Sequence, residues 1–406
     1  MDDSEKIKIT PEHQRAMKKY LDWFHDARRK GVPQNALLQY YEDDYEDYAY
    51  KVDVGGKTYA YPVFTKSEWI GLQGRLDNFV ANRSSAKRQN HNPEAIRRIA
   101  REMYMRHNKP TDKEVEFPIS SVLWNGSSVC ISGWGQNNHS VSFDVEKSDF
   151  FSYVSTGESM LRELYDELWE QNVSGVEDQD GIQQAIRNLS QRDRIAPSFS
   201  KFTRWTNHYH KAGSVCLLVL NRPDEGHDLF FTKRSPYVLQ EPGLHSVTPG
   251  GELQADRIHD TSLNDLVIQE LAEEVFSVPD EISGPVVPDD ALDPEIVKQR
   301  LANAVDDDQI HIRRTGFAFD MLAVKPIVAG MVYISDPEVG EFIRESLTTN
   351  WEADKFKRIQ LPRKNVPKEM HPNFASTSGA VAFYEGIRAL ERQFGVNPGM
   401  EVDWKI

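Results

Sequence analysis

Two short segments constrain this chain more than any others: Gly250-Gly251-Glu252 and, after a gap, Gln269-Glu270-Leu271-Ala272-Glu273-Glu274-Val275-Phe276. A glycine pair lets backbone approach closely, and the acidic run puts three carboxylates into five positions of one expected helix. Helical periodicity places Leu263, Leu266, Val267, Leu271 and Val275 on one apolar stripe. Glu270 and Glu274 fall inside that stripe and Glu273 at its rim, whereas the water side carries Asn264, Asp265 and Ala272. Carboxylates on an apolar face are costly unless their charge is compensated. A hard divalent cation with oxygen ligands would compensate it. Arg or Lys partners from elsewhere in the fold are the alternative, and a solvated helix edge is the plainest reading.

Composition narrows the rest. The 406 residues suffice for two domains with a sizeable core in each. No apolar run approaches the ~20 residues of a membrane helix, and Met1-Asp2-Asp3-Ser4-Glu5-Lys6 lacks the basic-then-apolar layout of a signal peptide. No membrane partner is therefore expected. Cys130 and Cys216 are too few for a disulfide framework or a cysteine-rich zinc site, which points to a reducing, cytoplasmic setting. A net charge of −15 argues against wholesale nucleic-acid binding and leaves only a local patch. That patch is 75–109, with nine Lys or Arg against Asp77, Glu94 and Glu102. Pairing with the acidic stretch 41–48, or a solvated helix face, is the blander account and the favoured one.

Along the chain, the first thirty residues are expected to be helical, with Met17, Leu21 and Phe24 on one face. Residues 52–59 read as two strands around the Gly55-Gly56 turn. The stretch 75–109 reads as two helices parted near 90–93. Strands follow at 121–131 and 140–145, then helices around 158–170 and 182–189. The chain reads as α+β, with a domain of unassigned role over 1–198 and a second domain over 199–406. In the second, 215–220 is a continuous apolar run, as for a strand buried on both faces. Further strands are expected at 228–234, 315–324 and 326–335, and a closing helix at 379–392.

With these elements in place, the acidic segment resembles the Nudix box, Gly-x5-Glu-x7-Arg-Glu-U-x-Glu-Glu-x-Gly-U, where U is a bulky aliphatic residue. Gly251 stands at the first glycine, and Glu270, Leu271, Glu273 and Glu274 follow the core in order and spacing. Arg234-Ser235 and Pro249-Gly250-Gly251 are similar to the family's upstream strand ending and loop. The resemblance covers roughly residues 214–390. It departs at Gln269, where the family has Arg, and at Phe276, where it has Gly. The distance from Gly251 to Glu270 is 19 positions against 15 in the pattern. The isolated upstream glutamate has no clear counterpart. Asp260 is nearest to it and would equally cap the helix that starts near Ser262.

The resemblance implies an α/β/α sandwich with a mixed sheet for the second domain. It also implies Mg²⁺- or Mn²⁺-dependent hydrolysis of a nucleoside diphosphate linked to another moiety. On that basis Glu270 and Glu274 are metal ligands, Glu273 binds directly or through water and acts in catalysis, and the Gly250 carbonyl adds an oxygen. Glu352 is the candidate general base, Arg234 the candidate phosphate-binding residue, and Trp351 the candidate stacking partner for a base. A solvated loop acid, a strand-end cation and a packing Trp are their blander readings. Gln269 in place of Arg is expected to hold Glu270 less firmly. His245 is expected to be structural, and Glu252 either approaches the metal or faces solvent. Two rivals stand beside the enzyme: a decayed fold that senses a nucleotide derivative without turnover, and a factor acting on capped or triphosphorylated nucleic-acid ends. Assembly as a homo-oligomer is left open.

Overall fold

The computed structural model describes residues 5–87, 89–137, 140–202, 211–223, 225–254, 262–276, 293–347 and 353–404. One mixed sheet organises them. Its strands lie in the order His245–Val247, Gly226–Arg234, Gly213–Arg222, Lys325–Ile334, Ile310–Asp320, Lys57–Phe64, Ala49–Val54 and Val402–Trp404. Gly250–Glu252 joins the start of Gly213–Arg222, and Ala353–Leu361 joins Gly226–Arg234. Gly213–Arg222 and Lys325–Ile334 run parallel, from Ala329↔Val215 to Ile334↔Leu220, and the other neighbours are antiparallel.

The central strand Gly213–Arg222 shows why the chain forms layers. Cys216, Leu218 and Leu220 join a core shared with the helices Leu263–Phe276 and Pro337–Ser346, whereas Leu217 and Val219 join the core beneath the helix Thr377–Phe394. A period of two along one strand thus feeds two cores, and helices cover both faces of the sheet. The continuous apolar run of the sequence is the signature of this double burial.

Gly55 and Gly56, at φ 58° and 80°, make the turn between Ala49–Val54 and Lys57–Phe64. These strands meet Ile310–Asp320 through Phe64↔Phe319 and Val63↔Asp320. A division at 198/199 therefore runs through the sheet. It also runs through the larger core, where Ile7, Phe24 and Phe143 share one cluster with Leu263 and Val332.

The first of the two helices expected over 75–109 is absent. Leu76–Phe79 is a 3₁₀ turn, and Val80–Lys87 is a strand parallel to Ser140–Asp149. Asn82, Ser84 and Ser85 are weak helix formers, and the partner strand decides their conformation. The second helix is present as Pro93–His107, started by Asn92, whose side chain accepts from Glu94 N and Ala95 N. The late strands sit earlier than expected, with 321–324 as the turn between them. The helix expected around 158–170 begins at Phe150 and passes through a π turn at Val154–Glu158. The first helix, Pro11–Arg29, is capped by Thr10. Among the described residues no helix is long and apolar enough to cross a membrane.

Candidate functional site

The acidic helix Leu263–Phe276 starts at a reciprocal cap: Asp265 N donates to Ser262 Oγ at 2.9 Å, and Ser262 N donates to Asp265 Oδ2 at 3.2 Å. Asp260, the other candidate cap, lies outside the described residues. The stripe Leu263, Leu266, Val267, Leu271 and Val275 is buried, as its spacing implies. Asn264 and Ala272 are buried too, although periodicity placed them on the water side. The cause is a second layer. Helix Pro294–Asp306 packs on the acidic helix, and Asn264 N donates to Asp77 Oδ1 at 3.1 Å. Phe276, at the family's glycine position, lies against Phe342 with ring centroids 5.0 Å apart. It ties the helix end to Pro337–Ser346, a packing role that glycine has no side chain to fill.

Glu270, Glu273 and Glu274 are half-buried. Glu274 turns toward the glycine strand, where its Oε2 accepts from Thr248 Oγ1 at 2.5 Å and from Gly250 N at 3.2 Å. One turn earlier, Glu270 lies so close to Gly251 that an added Cβ would overlap its carboxylate. Glycine at 251 lets the Glu270 carboxylate lie against the strand, and a larger residue would have to push it aside. Cys216 N donates to Pro249 O and Leu253 N to Ala212 O, both at 2.8 Å. Antiparallel alternation then makes Gly250↔Val215 a non-bonded pair. The Gly250 carbonyl consequently points away from its partner strand, to the side where the Gly250 N–H meets Glu274.

Glu273 is oriented along the helix itself, with Gln269 Nε2 donating to its Oε1 at 2.8 Å. This bond of Gln269 thus reaches Glu273, whereas the resemblance led to the expectation of an effect on Glu270. Glu252 pairs with Lys211, whose ammonium lies over the rings of Phe150 and Tyr153 at 4.3 and 4.8 Å. Burial lowers the Lys211 pKa, opposed by Glu252. Arg234 clamps the following loop, with Nε donating to Gln240 O at 3.1 Å and its backbone N to Leu244 O at 2.8 Å. His245 is bonded through its backbone to Phe374 and Ser376, and burial lowers its ring pKa. Burial pushes the Cys216 thiol up to about 12, which removes it as a nucleophile. Trp351 and Glu352 lie outside the described residues.

Two contributors were not singled out beforehand. Thr248 stood in a visible place, just ahead of Pro249-Gly250-Gly251, but its partner is 26 positions away. Lys211 carried no local signal at all. Three cations of the basic stretch pair with carboxylates of the fold: Arg97 donates to Glu5 at 2.6 Å, Arg98 pairs with Asp166 and Arg106 with Glu102. These partners lie outside the acidic stretch 41–48 that the sequence suggested.

The donors gathered at the glycine strand are all oxygen: two carboxylates a turn apart and a backbone carbonyl. Among the described residues no group of three or more His, Cys, Asp or Glu is placed to hold a metal ion. Two carboxylates suit Mg²⁺, which keeps several waters and completes its shell with substrate phosphates, better than they suit a cation held in an all-protein cage. No family model matches the chain, and no curated protein matches it.

Proposed function

We propose that the glycine strand and the acidic helix form the divalent-cation site of a Nudix-type pyrophosphohydrolase, which cleaves a nucleoside diphosphate linked to another moiety. The convergence of Glu270 and Glu274 on Gly250 and Gly251 carries this reading. Glu270, Glu274 and the Gly250 carbonyl would hold Mg²⁺ or Mn²⁺, with Glu273 reaching it directly or through water. When bound, such an ion neutralises phosphate charge and acidifies water. Thr248 and Gly250 N fix one oxygen of Glu274, so that carboxylate is oriented before any ligand arrives. Arg234, with Nε committed to Gln240 O, would meet a phosphate through its Nη atoms. Glu352 would accept the proton of the attacking water, and Trp351 would stack on the base.

A second reading, a nucleotide-derivative sensor without turnover, draws on the departures at Gln269 and Phe276. Gln269 orients Glu273 without a charge, and Phe276 is a packing residue. Nucleic-acid end processing is the weaker third, because Arg97, Arg98 and Arg106 are engaged with carboxylates of the fold. The deciding experiment is product release from a panel of dinucleoside and sugar-nucleotide pyrophosphates in Mg²⁺, Mn²⁺ or chelator, with Glu274→Gln as control. Metal-dependent turnover lost in the variant supports the hydrolase. No turnover, with a nucleotide derivative still raising the melting temperature, supports the sensor.

A further inference from the structure

Away from the glycine strand, one hydroxyl faces two carboxylates. Thr377 begins the helix Thr377–Phe394, and its Oγ1 lies 2.5 Å from Asp320 Oδ2 and 3.1 Å from Glu241 Oε1. All three residues are buried. A hydroxyl carries one hydrogen, and an ionised carboxylate can only accept, so two charged carboxylates cannot both be satisfied by this group. The remaining contacts sort the two acids. Glu241 Oε1 also accepts from Thr377 N at 2.8 Å, at a helix N-terminus that favours negative charge, and Arg28 Nη2 lies 3.7 Å away. Asp320 Oδ1 accepts from Leu322 N at 2.8 Å and Ala323 N at 3.3 Å, which leaves Oδ2 as the oxygen able to carry a hydrogen.

We propose that Asp320 holds a proton and donates it to Thr377 Oγ1, which donates onward to Glu241. This makes a buried proton-binding site that ties the 321–324 turn to the loop running from Arg234 to the glycine strand. The elements around it supply the rest of the charge. Lys325 follows the turn and donates Nζ to Gln240 Oε1 at 2.8 Å. Arg234 and Arg28 face Glu241, and Tyr153 faces Asp320. Arg192 holds the turn from outside, donating to Met321 O at 2.7 Å and to Leu322 O at 3.2 Å. Loss of the proton sets two anions against one hydroxyl and loosens the connection between turn and loop. The electrostatic surroundings agree with the geometry. Burial, with the charge of Glu241 adding, pushes Asp320 up to about 6 against the pull of Lys325. At Glu241 burial is outweighed by Lys325, Arg28, the Thr377 N–H and Arg234, which lower it.

The sign follows. A folded-state pKa above the unfolded value contributes stability at low pH, and that contribution disappears as pH rises through the folded value. The test compares urea midpoints of the full chain and of Asp320→Asn from pH 3, below the ordinary aspartate range, to pH 8. Asparagine keeps Oδ1 for the two backbone donors and supplies an N–H where the carboxyl supplied an O–H. The proposal expects equal midpoints at the acid end and a higher midpoint for the variant at pH 8. A variant destabilised across the whole range would overturn it, because the negative charge would then be the needed group. In the unmodified protein, ¹³C-carboxyl NMR should show an aspartate titrating near pH 6 that Asp320→Asn removes. An Asp320 signal already ionised at pH 5 would overturn the proposal without recourse to any stability measurement.

Discussion

Two regions of this protein gather carboxylates, one buried and one half-buried, and the donors described for them differ in kind. Around Phe24, Glu102, Glu158 and Glu241 meet Arg28, Arg106 and Arg162. Arg162 Nε lies 2.7 Å from Glu102 Oε2, its Nη2 lies 3.5 Å from Glu158 Oε2, and Arg106 pairs with Glu102. The guanidinium groups of Arg106 and Arg162 also lie over the Phe24 ring at 5.6 and 5.4 Å. At the glycine strand, the donors described for Glu274 are a hydroxyl and a backbone N–H, and for Glu273 an amide. Ion pairs neutralise the first set of carboxylates within the fold, whereas a hydroxyl, a backbone N–H and an amide orient the second. The first arrangement joins helices. The second is the one proposed to receive a cation.

The comparison breaks most visibly if the arginine cluster tolerates loss of one member. Arg162→Met should destabilise by roughly 3–5 kcal/mol, because buried Glu158 loses its guanidinium and buried Glu102 keeps only Arg106. Glu274→Gln keeps its donors within reach and should change stability far less, so equal urea midpoints for the two variants would contradict the contrast. Glu385 sharpens the argument from the other side. Gly71 N and Tyr50 Oη donate to it at 2.9 and 3.2 Å, and burial pushes it up to about 8 despite these bonds and the nearby Arg388. Full burial with mainly neutral donors thus yields a neutral acid. Its stabilising contribution is complete at acid pH and is lost as pH rises through 8, a change on the order of 5 kcal/mol. Glu385→Gln should flatten that part of the pH–stability profile, read by thermal melts between pH 5 and 9.

Smaller effects probe the glycine strand itself. Gly251→Ala should cost about 1–3 kcal/mol in overpacking and displace the Glu270 carboxylate, weakening Mn²⁺ binding while Glu274 stays in place. Gln269→Ala removes the half-exposed hydrogen bond to Glu273 and should change stability by less than about 1 kcal/mol for that bond. An effect of Gln269→Ala larger than that of Gly251→Ala on Mn²⁺ affinity would put Glu273, not Glu270, at the centre of the site.

What the sequence made legible follows from range. The acidic helix, the Gly55-Gly56 hairpin and the doubly buried strand Gly213–Arg222 each rest on local periodicity or turn chemistry, and the fold contains them. Residues 80–87 were misread because a polar stretch takes its conformation from a strand some sixty positions away. Asn264 and Ala272 were misread because periodicity identifies one buried face and says nothing about a second covering layer. At the candidate site, the glutamates and glycines were visible from spacing alone. Thr248, Lys211 and the Asp320–Thr377–Glu241 group were not, since each draws its meaning from a partner distant in the chain.

Glu270 and Glu274, converging on the glycine strand, are proposed to form a cation site. Its most direct test is a titration of Mn²⁺ into the full chain, followed by water-proton relaxation, for the unmodified protein, Glu274→Gln and Glu270→Gln. Saturable binding weakened about tenfold or more by either substitution is expected, with melting temperatures of the metal-free proteins nearly unchanged. Binding that neither substitution alters, or no binding by the unmodified protein, would contradict it.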